Sequence, residues 1–268
     1  MTRAFSWVFL SVAVLFSTYP FFWMFLSSFK TNQEIYQPAL LFPSQYNWQA
    51  YFDLFSSKYI PFFSIFFNSF GLAISQATVA TLVSAGVGFA LSKCSFRGSG
   101  ALLSLVIFIV LIPKQTLAIP TFEWMSWLGW RGSLFSLLLS GAVTGLGVLF
   151  FFQVFRFLPS EWVDLARIEG LNRFQTYLRL LPLVSPGLVT FFVLQFVLSF
   201  HDHLLPLLLL SDENMTLPLA LSKLKDSSHR IPESVGMAAS TLATIPMLVI
   251  FILAFSRLRT ALRDVSLS

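Results

Sequence analysis

Six stretches of this chain carry no Lys, Arg, Asp or Glu over lengths that match a membrane. They are residues 4–29, 59–92, 98–113, 132–155, 180–201 and 234–256. A helix needs about 20 largely apolar residues to cross the hydrocarbon core of a bilayer. The pattern predicts six transmembrane spans, at residues 5–27, 66–92, 101–120, 134–157, 183–209 and 234–256. The third is interrupted by Pro113, Lys114 and Pro120. The first reads as a retained span rather than a cleaved signal. Its apolar run exceeds the 7–15 residues of a signal core, no small-residue cleavage site follows, and five more spans come after it.

A water-soluble fold is excluded by composition. The sequence is 56% hydrophobic and 11% charged, with 32 Phe, where soluble domains average about 25% charged residues. The net charge of +5 is not gathered into a basic patch with interleaved aromatics, which argues against nucleic acid. A single cysteine, Cys94, excludes an intrachain disulfide. Lys and Arg set orientation through their excess on cytoplasmic segments. With the N-terminus inside, the inner segments hold Arg3, Lys93, Arg97, the four arginines between spans four and five, and Arg257, Arg259 and Arg263. The outer segments, including Lys225 and Arg230, hold fewer, and Glu161, Asp164, Glu169 and Asp264 are the inner acids. Both termini are therefore expected in the cytoplasm.

Residues 156–182, between spans four and five, do not belong in lipid. They include Arg156, Arg167, Arg173 and Arg179 with Glu161, Asp164 and Glu169. The segment is nonetheless patterned as two helices. Ser160 is a candidate N-cap, and Glu161 and Asp164 put negative charge at the positive end of a helix. Gly170 is positioned to end that helix. Asn172 and Gln175 have capping-box spacing for a second helix, which Pro182 is expected to close. On the first helix Trp162, Leu165, Ala166 and Glu169 share a face by i, i+3, i+4, i+7 spacing. Two readings stay open on pattern alone: a surface hairpin packed on its own membrane domain, or a docking element for another protein.

The run from Pro159 to Gly170, ending at Leu181-Pro182, resembles the EAA loop of binding-protein-dependent ABC importer permeases. Asp164 stands at its Glu, Leu165 and Ala166 at its two Ala, and Gly170 at its Gly. The interval from Gly170 to Pro182 is one residue shorter than the pattern. Trp23 to Glu34 resembles the first-span exit of the maltose-type carbohydrate subfamily (the MalG-like subunit). Asn68-Ser69, Lys93–Gly98, Ile112-Pro113, Asp202–Pro206 and Gly236–Ser240 are similar to later landmarks of that subfamily. The C-terminal tail lacks its Gly-rich ending. The resemblance implies an all-α polytopic membrane protein with the type I ABC importer permease fold, in a bacterial or archaeal cytoplasmic membrane. It implies a first helix with an outer loop over residues 1–61, a transmembrane domain over 62–258, and a cytoplasmic tail over 259–268. It further implies a second, MalF-like permease subunit, an ABC ATPase dimer and an extracytoplasmic sugar-binding protein as partners. Trp162, Asp164, Leu165, Ala166, Glu169 and Gly170 would couple to the ATPase.

The chain contains no G-x-x-x-x-G-K-[ST] loop, so nucleotide phosphates would be held by another polypeptide. No cofactor is expected in this chain, with ATP used by the partner. Polar residues within spans are expensive and often functional. Asn68, Gln76, Gln195, Ser199 and Asp202 are therefore candidates to line a translocation cavity, the alternative being hydrogen-bond glue between helices. His201-Asp202-His203 raises a metal site, but no third ligand cluster accompanies it. The glycines Gly141, Gly145 and Gly147 suit close helix packing. No catalytic pair lies in the spans, which argues against an intramembrane enzyme. Near absence of mid-membrane charge argues against a secondary carrier. The expected cargo is a disaccharide or oligosaccharide, with glycerol phosphate or a polyamine as the alternative.

Overall fold

The computed structural model of the protein describes residues 2–37, 39–224 and 231–266. Its α-helices are α1 (Thr2–Ser27), α2 (Asn32–Ile35), α3 (Gln49–Phe55), α4 (Phe62–Lys93), α5 (Ser99–Leu111), α6 (Ala118–Trp127), α7 (Leu134–Ser140), α8 (Gly145–Arg156), α9 (Glu161–Ile168), α10 (Arg173–Leu180), α11 (Ser185–Phe200), α12 (Leu204–Leu209), α13 (Leu217–Leu224) and α14 (Glu233–Ser266). Short 3-10 turns at Lys114–Leu117 and Leu181–Val184 join α5 to α6 and α10 to α11. Lys225, Arg230 and the side chains of Arg3, Arg257, Arg259, Arg263 and Asp264, which entered the orientation argument, lie outside the described residues, as do residues 267–268 of the expected tail.

Four stretches are single helices long and apolar enough to cross a bilayer: Phe5–Ser27, Phe62–Lys93, Arg173–Phe200 and Glu233–Phe255. Two bent pairs bring the total to six if each counts as one span. The expected third span is corrected. Its helix stops at Leu111, and the chain turns by 98° at Ile112-Pro113 before α6. Pro113 removes a backbone donor and disfavours helix at Ile112, whose ψ is 122°. Pro120 breaks nothing, because it lies in the first turn of α6 where an N–H has no partner anyway. The expected fourth span is also two helices, α7 and α8, bent by 44°. The expected fifth span, 183–209, ends early at Phe200, and α12 is separate. Pro182 does not close α10, since the 3-10 turn carries the chain directly into α11.

The chain forms two compact units. One comprises Met1–Phe67 and Leu217–Met247. In it α1 is exposed along its apolar window, as suits a helix whose solvent is lipid. The exit from α1 is locked. Lys30 is buried and its Nζ donates to the Leu40 carbonyl. Thr31 and Glu34 form a reciprocal capping box on α2. Phe29 sits among the rings of Tyr46, Trp48 and Tyr51. The Asn32 side chain accepts from the Glu233 N–H at the start of α14 (3.0 Å).

The other unit comprises Asn68–Thr216 and Leu248–Ser268. Its core joins Ala80, Ala85 and Phe89 of α4 to Phe151 and Phe155 of α8, Val163 of α9, Leu180 of α10 and Phe191 of α11. Gly88 lets α4 and α8 meet at backbone distance, since a Cβ there would lie 2.6 Å from that of Phe151. The three glycines expected to permit close packing do so against three different elements. Gly141 faces Gln76 of α4, Gly145 faces Val106 and Val110 of α5, and Gly147 faces Ser84 and Phe191.

Candidate functional site

Two features of the second unit gather the candidate site residues: the charged helix pair and a cavity between the broken spans. In the helix pair, α9 ends in a full Schellman motif. Gly170 has φ of +76°, its N–H donates to Arg167 O (3.0 Å), and Leu171 N–H donates to Ala166 O (2.9 Å). A residue with a Cβ is strained at that φ, so glycine is the fitting type there. Asn172 and Gln175 form the expected capping box, each bond 2.9 Å. Ser160 stands at the N-cap position but makes no side-chain cap bond. Its backbone is already helical (φ −66°, ψ −24°) rather than extended, so its contribution is its carbonyl, which accepts from Val163 and Asp164.

Helix α9 has two apolar faces. Val163 and Ala166 are buried, and Val163 belongs to the unit's core. Trp162, Leu165 and Ile168 are exposed, Ile168 by 83%. Ala166 therefore departs from the expected outward face and packs inward. Trp162, Leu165 and Glu169 remain on the solvent side. Phe157, 86% exposed, and Phe174 are further exposed apolar residues of the 156–182 segment. Asp164 pairs with Arg167 across one turn (3.3 Å), and both side chains are mostly exposed. Exposed pairs contribute little to stability. The inner face is anchored well. Phe89 meets the rings of Phe155 (5.4 Å) and Tyr177 (5.5 Å), and Lys93 Nζ donates to the Leu158 carbonyl. The packed inner face answers the first of the two readings left open by sequence, and the exposed outer face leaves room for the second.

The cavity has a volume of about 430 Å³, within the range of small-molecule sites. Four of the five candidate cavity residues line it: Gln76, Gln195, Ser199 and Asp202. Asn68 is half-buried and does not. Both helix breaks open onto it, through Ile112 and Lys114 on one side and Ser140, Gly141, Thr144 and Gly145 on the other. Irregular backbone at membrane depth is tolerated where it lines such a cavity. Gln76 Nε2 donates to Leu137 O (2.7 Å) at the end of α7, a carbonyl that also accepts from the Gly141 N–H (3.2 Å) and the Ser140 hydroxyl (3.0 Å). Thr144 caps α8 by accepting from Gly147 N–H (3.0 Å). Lys114, Ser140 and Thr144 were not singled out from sequence as cavity residues. Lys114 had registered only as an interruption of the third span, and the Thr144–Gly147 spacing was the one local signal for a new helix start. His201 and His203 are exposed, and among the described residues no group of three or more His, Cys, Asp or Glu could hold a metal ion.

The model for the binding-protein-dependent transport system inner membrane component matches residues 82–264, the greater part of the chain. The chain belongs to that family. The match spans α9, the glycine turn and the broken fourth span. Among similar proteins is the arabinooligosaccharides transport system permease of Bacillus subtilis (strain 168), 28% identical over 91% of this chain and 88% of that one. Another is the sn-glycerol-3-phosphate transport system permease of Pectobacterium atrosepticum, 26% identical over 93% of this chain and 92% of that one. A chain of a bacterial ABC transporter that imports the acidic polysaccharide alginate has the same fold, with a TM-score of 0.83 over 95% of both chains at 19% identity. This inner membrane component is thus a multi-pass transport subunit rather than an enzyme, working with an ATPase and a substrate-binding protein.

Proposed function

We propose that the chain is one of two permease subunits of an ATP-driven importer for a disaccharide or oligosaccharide, paired with a MalF-like second subunit. The observation that carries this reading is the two-faced helix α9. Its inner face, through Val163, is continuous with the core that holds α4, α8 and α11. Its outer face offers Trp162, Leu165 and Ile168 to a partner. A short helix cemented on one side and exposed on the other transmits a push as a rigid body. The partner is an ATPase that hydrolyses ATP, since this sequence has no phosphate-binding loop of its own. Trp162, Asp164, Leu165 and Glu169 meet that ATPase, Ala166 fixes the helix from behind, and Gly170 sets the turn. Both termini and residues 156–182 then face the cytoplasm, and the cavity forms this subunit's half of the pathway.

A sugar cargo is favoured by the polar lining of Gln76, Gln195, Ser199 and Asp202 and by the arabinooligosaccharide relative. The glycerol phosphate relative keeps a small phosphorylated solute as the second reading. The decisive experiment replaces Asp164 by Lys and Gly170 by Val in the assembled transporter. Both variants should insert normally and lose ATP-driven uptake and co-purification with the ATPase. Uptake that survives both changes, or a topology reporter placing residues 156–182 outside, overturns the assignment.

A further inference from the structure

We infer that the cavity seats the anionic group of an acidic sugar, held by Lys114 and the first N–H groups of α8, an inference resting on the sugar-importer reading above. Helix α8 starts at the cavity wall with Gly145 and Leu146. Thr144 satisfies the N–H of Gly147 through its hydroxyl and that of Val148 through its carbonyl. The N–H groups of Gly145 and Leu146 have no hydrogen-bond partner among the described residues. Free donors and the positive end of a helix dipole together favour an anion.

Three further groups, Gln195, Lys114 and Asp202, line the same space. Gln195 is only 3% exposed yet has no hydrogen-bond partner among the described residues, and it lines the cavity. Buried polar groups are almost always paired, so an unpaired amide on a cavity wall marks a place for ligand. Lys114 is the one cation of the lining, and the ion pairs of the described residues, Lys58–Asp53 and Arg167–Asp164, leave it without a carboxylate. Asp202 is the one acid of the lining. It lies beyond the end of α11, where its carboxylate suits sugar hydroxyls. A carboxylate at one end and hydroxyls at the other describe a uronic acid. Lys114 is exposed, so its charge is available to a carboxylate that enters beside it.

The test uses the purified transporter complex with D-glucuronate and D-glucose as probes, read as concentration-dependent protection against thermal unfolding. Glucuronate should protect at lower concentration than glucose. Lys114→Gln should weaken glucuronate about tenfold, in keeping with a lost charge-assisted bond, and leave glucose nearly unchanged. Asp202→Asn should weaken both sugars alike. Equal protection by the two probes, no protection by either, or an unaffected Lys114→Gln variant overturns the inference. Uptake of neutral sugars in the complex with no glucuronate preference removes the acidic class alone. Failure of the complex to take up any sugar removes the reading beneath it.

Discussion

Gln76 crosses so close over Gly141 that a Cβ on that glycine would fall far inside van der Waals contact with the Gln76 amide. The closeness has a purpose, since the same amide donates to Leu137 O, four residues before the break. Gly141 is thus the gap through which a side chain of α4 reaches the last turn of α7, adding a third donor to a carbonyl that already accepts from Gly141 N–H and Ser140 Oγ. Gly141→Ala should displace Gln76, break its bond to Leu137 O and cost about 1–3 kcal/mol through overpacking. Gln76→Ala should cost about 0.5–1.5 kcal/mol, the net worth of one hydrogen bond, since Leu137 O keeps its two local donors. The double variant should cost clearly less than the two single effects together, since neighbours in one contact do not add. Thermal stability of the three purified variants, alongside uptake, measures this.

The spans were legible because bilayer thickness is a length requirement that charge-free gaps report directly. The helix pair at 156–182 was legible for a different reason. Its caps at Gly170 and at Asn172 with Gln175 are local, and local chemistry is written in adjacent residues. The break at Gly141–Thr144 was not legible, because no charge or proline marks it and an apolar run reads alike whether continuous or bent. The end of the fifth span was missed because the leucines of α12 extend the apolar run past His201–His203. The inward turn of Ala166 needed the position of the core. Gln76, Gln195, Ser199 and Asp202 could be singled out because polar groups in a span are costly, but their convergence on one cavity is a tertiary fact. Lys114 reads in the sequence as an interruption of the third span and an outer charge, and its place on the cavity wall is likewise a tertiary fact.

Phe89 ties the two ends of the proposed lever, touching Phe155 of α8 and Tyr177 of α10. Phe89→Ala should leave a cavity in a buried cluster, with a stability loss of about 3–5 kcal/mol if the site does not collapse. Because the outward face of α9 is untouched, the ATPase should still bind. Transport should therefore fall more than ATP hydrolysis, and the ratio of sugar moved to ATP hydrolysed is the quantity to measure. An unchanged ratio would mean that this cluster does not transmit force.

Ser57 and Gly170 occupy the same slot in two helix ends. Ser57 has φ of +56° after α3, with its N–H on Leu54 O (3.2 Å) and the Lys58 N–H on Asp53 O (3.1 Å). A left-handed conformation costs an L-residue about 1–2 kcal/mol. Gly170→Ala should therefore lower the unfolding temperature, while Ser57→Gly should raise it or leave it unchanged, since glycine's unfolded-state entropy offsets part of the gain. A lower unfolding temperature for Gly170→Ala and no loss for Ser57→Gly are the expected results of parallel thermal scans.

Glu34 closes the outer loop and should do so down to low pH. Its carboxylate accepts from Ser44 N–H (2.9 Å), from Thr31 N–H (2.9 Å) and from the Thr31 hydroxyl (3.1 Å). The bonds from Ser44 and Thr31 hold its pKa down at about 2, against an ordinary value of 4.5. A folded-state pKa below the unfolded value means that the stabilisation is fully present above pH 4.5 and is lost as pH falls towards 2. Glu34→Gln keeps the shape and removes the charge that strengthens these bonds. At neutral pH it should speed amide exchange at Thr31 and Ser44, and the gap between variant and native chain should shrink as the pH is lowered through that window. A gap that stays constant from neutral pH to pH 2 would show that the charge of Glu34 contributes nothing to holding the loop.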